Sequence, residues 1–225
     1  LTVDQSGNST FAGSFGGAGV LMKTGAGTLT LTGASSHLGG TAVMAGTLDT
    51  TGGGTLTDSG AIAVSSGATF NAGTADTVGA VTNSGNFIVA ANQNVSSLAN
   101  TGTTQLAANL TSAGNVANDG LLAVSGQRNL TTSTLTGSGT FALTTGTDTL
   151  TVDQSGNSTF AGSFGGAGVL AKTGAGTLTL SGASSHSGGT AVMAGTLDTT
   201  GGGTLADGGA IAVITGATFK AGTVD

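Results

Sequence analysis

The chain of 225 residues contains no cysteine, proline, tryptophan, tyrosine or glutamate. Without cysteine there is neither a disulfide framework nor a thiolate metal site. Charge is scarce as well: charged residues make up 6% of the chain, against about a quarter in ordinary domains. All ten acidic residues are aspartates, Lys23, Arg128, Lys172 and Lys220 are the whole basic set, and the net charge is −6. With no basic cluster, nucleic acid and anionic membrane surfaces are poor partners. No apolar run approaches the roughly 18 residues of a membrane helix, so direct membrane insertion is not expected. The opening LTVDQSGNST lacks the charged and apolar regions of a signal peptide.

What is abundant is glycine, 44 residues, together with Thr, Ser, Ala and Leu. Hydrophobic residues still reach 37% and are evenly spaced, which sets intrinsic disorder aside. Helical periodicity is missing, whereas short alternating stretches such as GTLTLTG, GAIAVSSG and GLLAVSG occur throughout. Aligned, they share one frame: apolar, any, small or Asn/Asp, any, Gly, any, apolar, any, apolar. It is clearest in LTDSGAIAV (56–64), VTNSGNFIV (81–89), LANTGTTQL (98–106), VANDGLLAV (116–124) and LTGSGTFAL (135–143). FGGAGVLMK (15–23) fits it with Lys at the last position.

The anchor glycines of this frame are Gly19, Gly39, Gly60, Gly85, Gly102, Gly120, Gly139, Gly168, Gly188 and Gly209, separated by 20, 21, 25, 17, 18, 19, 29, 20 and 21 residues. The 29-residue step has room for one more turn, built on Leu150 and Val152. Alternating apolar residues give each strand one buried face. Glycine between two strands suits a sharp bend through positive φ, and Asn or Asp two residues earlier suits a turn. Strands recurring about every 20 residues without helical crossovers describe stacked coils. The expected fold is therefore all-β, a parallel β-helix (β-solenoid) of about 10–12 rungs, each of roughly 17–25 residues.

A longer period overlies the short one. Leu1–Asp76 aligns without gaps to Leu150–Asp225, and only nine of the 76 pairs differ. Residues 1–225 thus read as a single continuous β-solenoid, 1–149 as one complete long repeat, and 150–225 as the start of a second copy. A repeat interrupted in this way is expected to belong to a longer array.

The stretch GAGVLMKTGAGTLTLTGASSHLGGTAVMAGTL (17–48), repeated at 166–197, resembles the passenger-associated transport repeat of bacterial autotransporters. Gly17, Gly19, Leu21, Lys23, Gly25, Gly27, Thr28, Leu29, Leu31 and Gly33 fit the pattern, followed by Gly39, Gly40, Thr41, Val43, Gly46 and Leu48. The sequence departs from it at Ser36-His37, where the family often carries a Thr-Tyr pair. The resemblance implies a right-handed β-helical passenger, displayed on or released from a Gram-negative cell by an outer-membrane barrel.

Little in the chain suggests catalysis or a cofactor, and no enzyme activity, metal or cofactor is expected. His37 and His186 are the only histidines and occupy equivalent Ser-Ser-His turns, which reads as a surface turn residue. Ser-His-Asp chemistry would also need an orienting carboxylate and an oxyanion site. Glycine runs such as GSFGGAG (13–19) lack the Lys-Ser/Thr ending of a phosphate loop. The ten aspartates are scattered, unlike those of calcium-binding nonapeptide repeats. Asn83, Asn100 and Asn118 occupy one frame position on successive rungs, so they are expected to stack as a structural amide ladder at about 4.8 Å spacing. Phe87 and Phe141 are expected in the core.

The role that follows is mechanical: a stalk segment of a surface-displayed or secreted autotransporter adhesin, located outside the cell or on its outer surface. The alternative is an extracellular filament or matrix protein whose coils stack head to tail between chains, so that self-association is the expected partner interaction. The receptor is not encoded in any recognisable motif. Two structural expectations follow. Val81, Leu98, Val116 and Leu135 form one buried set and Val89, Leu106, Val124 and Leu143 another, and the nine replacements between copies fall on outward or turn positions.

Overall fold

A computed structural model describes residues 1–56, 59–206 and 208–222. Among them there is no helix, and parallel sheets stack as a β-solenoid of about 11 turns. The chain divides into two compact units, Leu1–Thr111 and Ser112–Asp225.

In the first unit one sheet runs through Thr2–Asp4, Leu21–Thr24, Thr41–Val43, Ile62–Val64, Asp76–Asn83 and Gln93–Asn100, each parallel to the next. A second runs through Ser9–Phe11, Thr28–Leu31, Thr47–Asp49, Thr69–Ala72, Asn86–Val89 and Thr103–Leu106. Each turn contributes one strand to each sheet, so a residue on one turn lies over its frame equivalent on the turn before. Side chains therefore form columns. Leu21, Thr41, Ile62, Val81 and Leu98 are one; Leu29, Leu48, Phe70 and Phe87 are another. The rings of Phe70 and Phe87 stack at 5.6 Å with an interplanar angle of 1°.

The second unit repeats this arrangement. One sheet contains Asn129–Thr136, Thr149–Asp153, Val169–Thr173, Thr190–Val192 and Ile211–Val213. Another joins Ser158–Phe160, Thr177–Leu180, Thr196–Asp198 and Thr218–Lys220. Thr149–Asp153 is the additional turn inside the 29-residue glycine step, with Leu150 over Leu130 and Val152 over Thr132.

The two expected apolar sets are buried throughout. Val81 pairs with Leu98, Val89 with Leu106, and Val124 with Leu143. At the replaced positions, Ala171 is the only buried residue among those described; its equivalent Met22 is exposed. Thr57 and Val224 lie outside the described residues.

Equal sequence does not always give equal structure. Ser163–Gly166 is a strand paired with Thr140–Leu143, whereas the same four letters at residues 14–17 form none. Phe164 is fully buried in a cluster with Phe141 and Phe160 at ring distances of 5.3 and 5.0 Å. Phe15 is half-buried, stacks on Phe11 and meets the His37 ring edge-on at 6.4 Å.

The anchor glycines need a different explanation from the expected one. None of the ten has positive φ; left-handed conformations fall on neighbours such as Gly40 at φ 87° and Gly189 at φ 91°. Steric room constrains most of them instead, though not Gly19, where a Cβ meets nothing within 4 Å. A Cβ on Gly102 would lie 2.2 Å from the carbonyl oxygen of Gly85, and one on Gly139 would lie 2.2 Å from that of Gly120. At these corners one backbone rests directly on the next. Gly102→Ala is accordingly expected to destabilise the chain by about 1–3 kcal/mol, the usual cost of overpacking. Gly7→Ala, where a Cβ meets nothing within 4 Å, is expected to stay within about 0.5 kcal/mol of the parent. Urea unfolding of the two variants compares them directly.

Candidate functional site

The buried polar side chains are the most distinctive chemistry of the coil. Asn83 and Asn100 face each other in register, both buried. Asn83 Nδ2 donates to Asn100 Oδ1 at 2.8 Å and to the Thr103 carbonyl at 2.8 Å, and Thr104 Oγ1 donates to Asn100 Oδ1 at 3.0 Å. The Gly85 amide donates back to Asn83 Oδ1 at 3.1 Å, which closes the turn before the anchor glycine. Asn118, also buried, donates to the Thr140 carbonyl at 3.1 Å. These amides hold corners together: Asn83 bridges its own turn and the adjacent one, Asn100 accepts a donor from each, and Asn118 reaches the adjacent strand.

Two lysines are fully buried, which their frame position foreshadows because Val or Leu stands there elsewhere. Lys23 lies between Val3 and Val43, and Lys172 between Val152 and Val192. Lys23 Nζ donates to the carbonyls of Thr24 and Gly25 at 2.8 Å each and of Ala45 at 3.2 Å. Lys172 Nζ repeats the pattern with Thr173, Gly174 and Ala194 at 2.5, 2.8 and 3.3 Å. Gly25 and Gly174, at φ 76° and 73°, turn their carbonyls onto the ammonium. Each lysine thus clasps its own turn to the next one. Burial pulls both ammonium groups below the usual lysine range, an effect opposed by the nearby charges of Asp4 and Asp153 respectively.

The histidines correct the surface-turn expectation: His37 and His186 are 2% and 0% exposed. His37 Nε2 hydrogen-bonds Thr41 Oγ1 at 2.9 Å, and His186 Nε2 bonds Thr190 Oγ1 at 3.0 Å. Thr41 and Thr190 interrupt otherwise apolar columns, and the imidazole satisfies the hydroxyl placed there. The clue lay in the spacing, a His four residues before a Thr that takes an apolar position in the frame.

Two aspartates brace corners. Asp148, fully buried, accepts the amides of Gln127, Arg128 and Thr145 at 2.9, 3.1 and 2.7 Å. Burial opposes its ionisation, but these hydrogen bonds prevail and its carboxyl lies below the usual range. Among the described residues Asp76 accepts the Leu56 amide and the Thr74 hydroxyl, at 3.1 and 3.0 Å, and burial raises its pKa despite them. No group of three or more metal-ligating side chains occurs among the described residues.

This is a parallel β-solenoid whose recurring polar clasps are structural. The family model of the passenger-associated-transport-repeat matches residues 21–49 and 170–198, the segments that carry Lys23 and His37 in one copy and Lys172 and His186 in the other. With the β-solenoid around them, these two matches fit an autotransporter passenger domain with repeats. No match was found among curated proteins or among solved structures.

The lysine clasps generate a prediction with a definite sign. A folded-state lysine pKa below the unfolded value of 10.5 means the unfolded chain binds more protons between the two values, so stability rises with pH across that window. Urea unfolding at successive pH values approaching 10.5 is expected to show this rise. In Lys23→Met/Lys172→Met, whose cage carbonyls lose their donors, the chain is less stable and the rise is absent. A fall in stability over this range in the parent would contradict the assignment.

Proposed function

We propose that the chain is a stalk segment of an autotransporter adhesin, a β-solenoid that carries adhesive surface away from a Gram-negative cell. The observation that carries this reading is the recurrence of the transport repeat, clasp for clasp, at residues 21–49 and 170–198. The family implies export to the cell surface or beyond. The mechanism is geometric rather than catalytic. Each turn touches only its neighbours, so whole turns are added or removed without disturbing the core. A block of 149 residues, the separation of the two copies, is such an addition.

A filament-forming role is the second reading: parallel turns joined strand to strand, as Leu21–Thr24 is to Thr41–Val43 and Thr41–Val43 to Ile62–Val64, have a geometry that serves equally between chains.

Antibody labelling of intact cells, paired with protease shaving, tests the main reading. The chain is expected to be labelled and cleaved without permeabilising the cells, and an in-frame deletion of residues 1–149 is expected to lower adherence while leaving display intact. A chain detected only after lysis would overturn the proposal. Light scattering of the purified chain tests the filament reading: growth of scattering mass with concentration supports it, and a constant monomer mass counts against it.

A further inference from the structure

The first unit carries a groove of about 790 Å³ on its outer face, where the strands Asp76–Asn83 and Gln93–Asn100 bend. The bend arises because Val78 and Val81 both face inward, three residues apart, which leaves Gly79 and Ala80 at a corner. These two and Ala61 form a small-residue floor, while the exposed polar side chains of Ser59, Thr77, Asn92, Asn94 and Ser96 form the rim. The volume lies within the range of small-ligand sites.

The rim is chemically underused. Among the described residues no hydrogen bond engages the hydroxyl of Ser59 or Ser96, and Asn94 reaches Thr77 Oγ1 only at 3.5 Å. The Asn92 side chain keeps its carboxamide nitrogen available while its oxygen accepts the Asn109 amide at 3.1 Å. At the same frame position in the second unit, the polar side chains are instead consumed internally. There Asn115 bonds Thr136 Oγ1 at 3.0 Å, Ser133 Oγ bonds the Gly114 carbonyl at 2.9 Å, and Thr134 Oγ1 bonds the Ser133 carbonyl at 2.8 Å. The two bends share a backbone plan, yet only the first presents its polar groups outward.

We infer that this groove is a binding site for a neutral oligosaccharide. Hydroxyl and carboxamide groups both donate and accept, matching a ligand dense in hydroxyls that do the same. The Ala and Gly floor fits the C–H face of a sugar ring. No lysine or arginine lines the groove and the chain carries −6 net charge, which disfavours sulfated, sialylated or phosphorylated ligands. A peptide adding as a strand finds little edge here: Gln93–Asn100 pairs along Asp76–Asn83 on one side, and on the other Val81–Asn83 pairs with Ile62–Val64 while the Gly79 amide donates to the Gly60 carbonyl at 3.1 Å. With no aromatic platform in the groove, a single site binds weakly, on the order of a millimolar Kd. The inference rests on the surface-display reading for its biological setting, but it concerns the purified chain alone.

Saturation-transfer NMR on the 225-residue chain tests it, with N-acetyllactosamine, mannotriose and maltotriose as neutral probes and 3′-sialyllactose and a heparin disaccharide as anionic controls. Transfer to at least one neutral probe is expected, weakened about fivefold or more in Asn92→Ala/Asn94→Ala and in Ala61→Trp, which fills the floor. Both variants change exposed side chains, and an unaltered thermal melt verifies their fold. No transfer to any neutral probe up to about 10 mM, preference for the anionic controls, or transfer undiminished in the folded variants would each overturn the site. A failed site leaves surface labelling of the chain unaffected, so the two proposals fall separately.

Discussion

Everything in this coil depends on one constraint, that each turn must lie on the next at the spacing of a parallel β-ladder. Backbone hydrogen bonds run between turns, so the position of a strand is set by its neighbour more than by its own residues. The same spacing dictates what fills the interior. Every inward side chain has a like-positioned side chain above and below, and residues of similar shape stack with little waste, as in Leu29 over Leu48 and Phe70 over Phe87. At the corners the spacing is so tight that backbone meets backbone, and only glycine fits at positions such as 102 and 139.

Polar residues inside such columns are tolerated only where the turns supply their partners. A buried group left without one costs about 1–3 kcal/mol. The solenoid meets this demand with local fittings: carbonyl cages around Lys23 and Lys172, an imidazole for Thr41 and Thr190, and carboxamides that join adjacent corners. Because the lysine and histidine fittings recur between copies with nearly the same distances, they belong to the repeat rather than to one location. They also make the register specific, since a slip of one residue would carry an ammonium away from its carbonyls.

The architecture was legible because period-2 alternation and the glycine phase both survive the whole chain, and together they leave a stacked coil as the consistent solution. The fully buried lysines were harder to read. Lysine in a frame position held elsewhere by Val or Leu was visible, but the cage depends on carbonyls from Gly25 and Ala45, brought together only when two turns stack. His37 is hard to read for the same reason: Ser-Ser-His looks like a surface turn until Thr41 is seen to occupy an apolar column. The tight clearance at glycines such as 102 and 139 has no signal in the chain, because clearance between turns cannot be read from one turn alone. The groove had no sequence signal at all, since Ser, Thr and Asn are common everywhere in this chain and only the bend distinguishes those at its rim.

The tetrapeptide Ser-Phe-Gly-Gly makes a wider point. Over Thr140–Leu143 it is a strand, and at residues 14–17 it is not, although in both copies the following turn hydrogen-bonds to it alike. Its conformation is inherited rather than intrinsic, as a layer of crystal takes its lattice from the layer beneath. Such a chain stores its shape as a rule for copying a neighbour. Order introduced at one point then spreads turn by turn as a front, and a faulty layer hands its error to every layer that grows upon it.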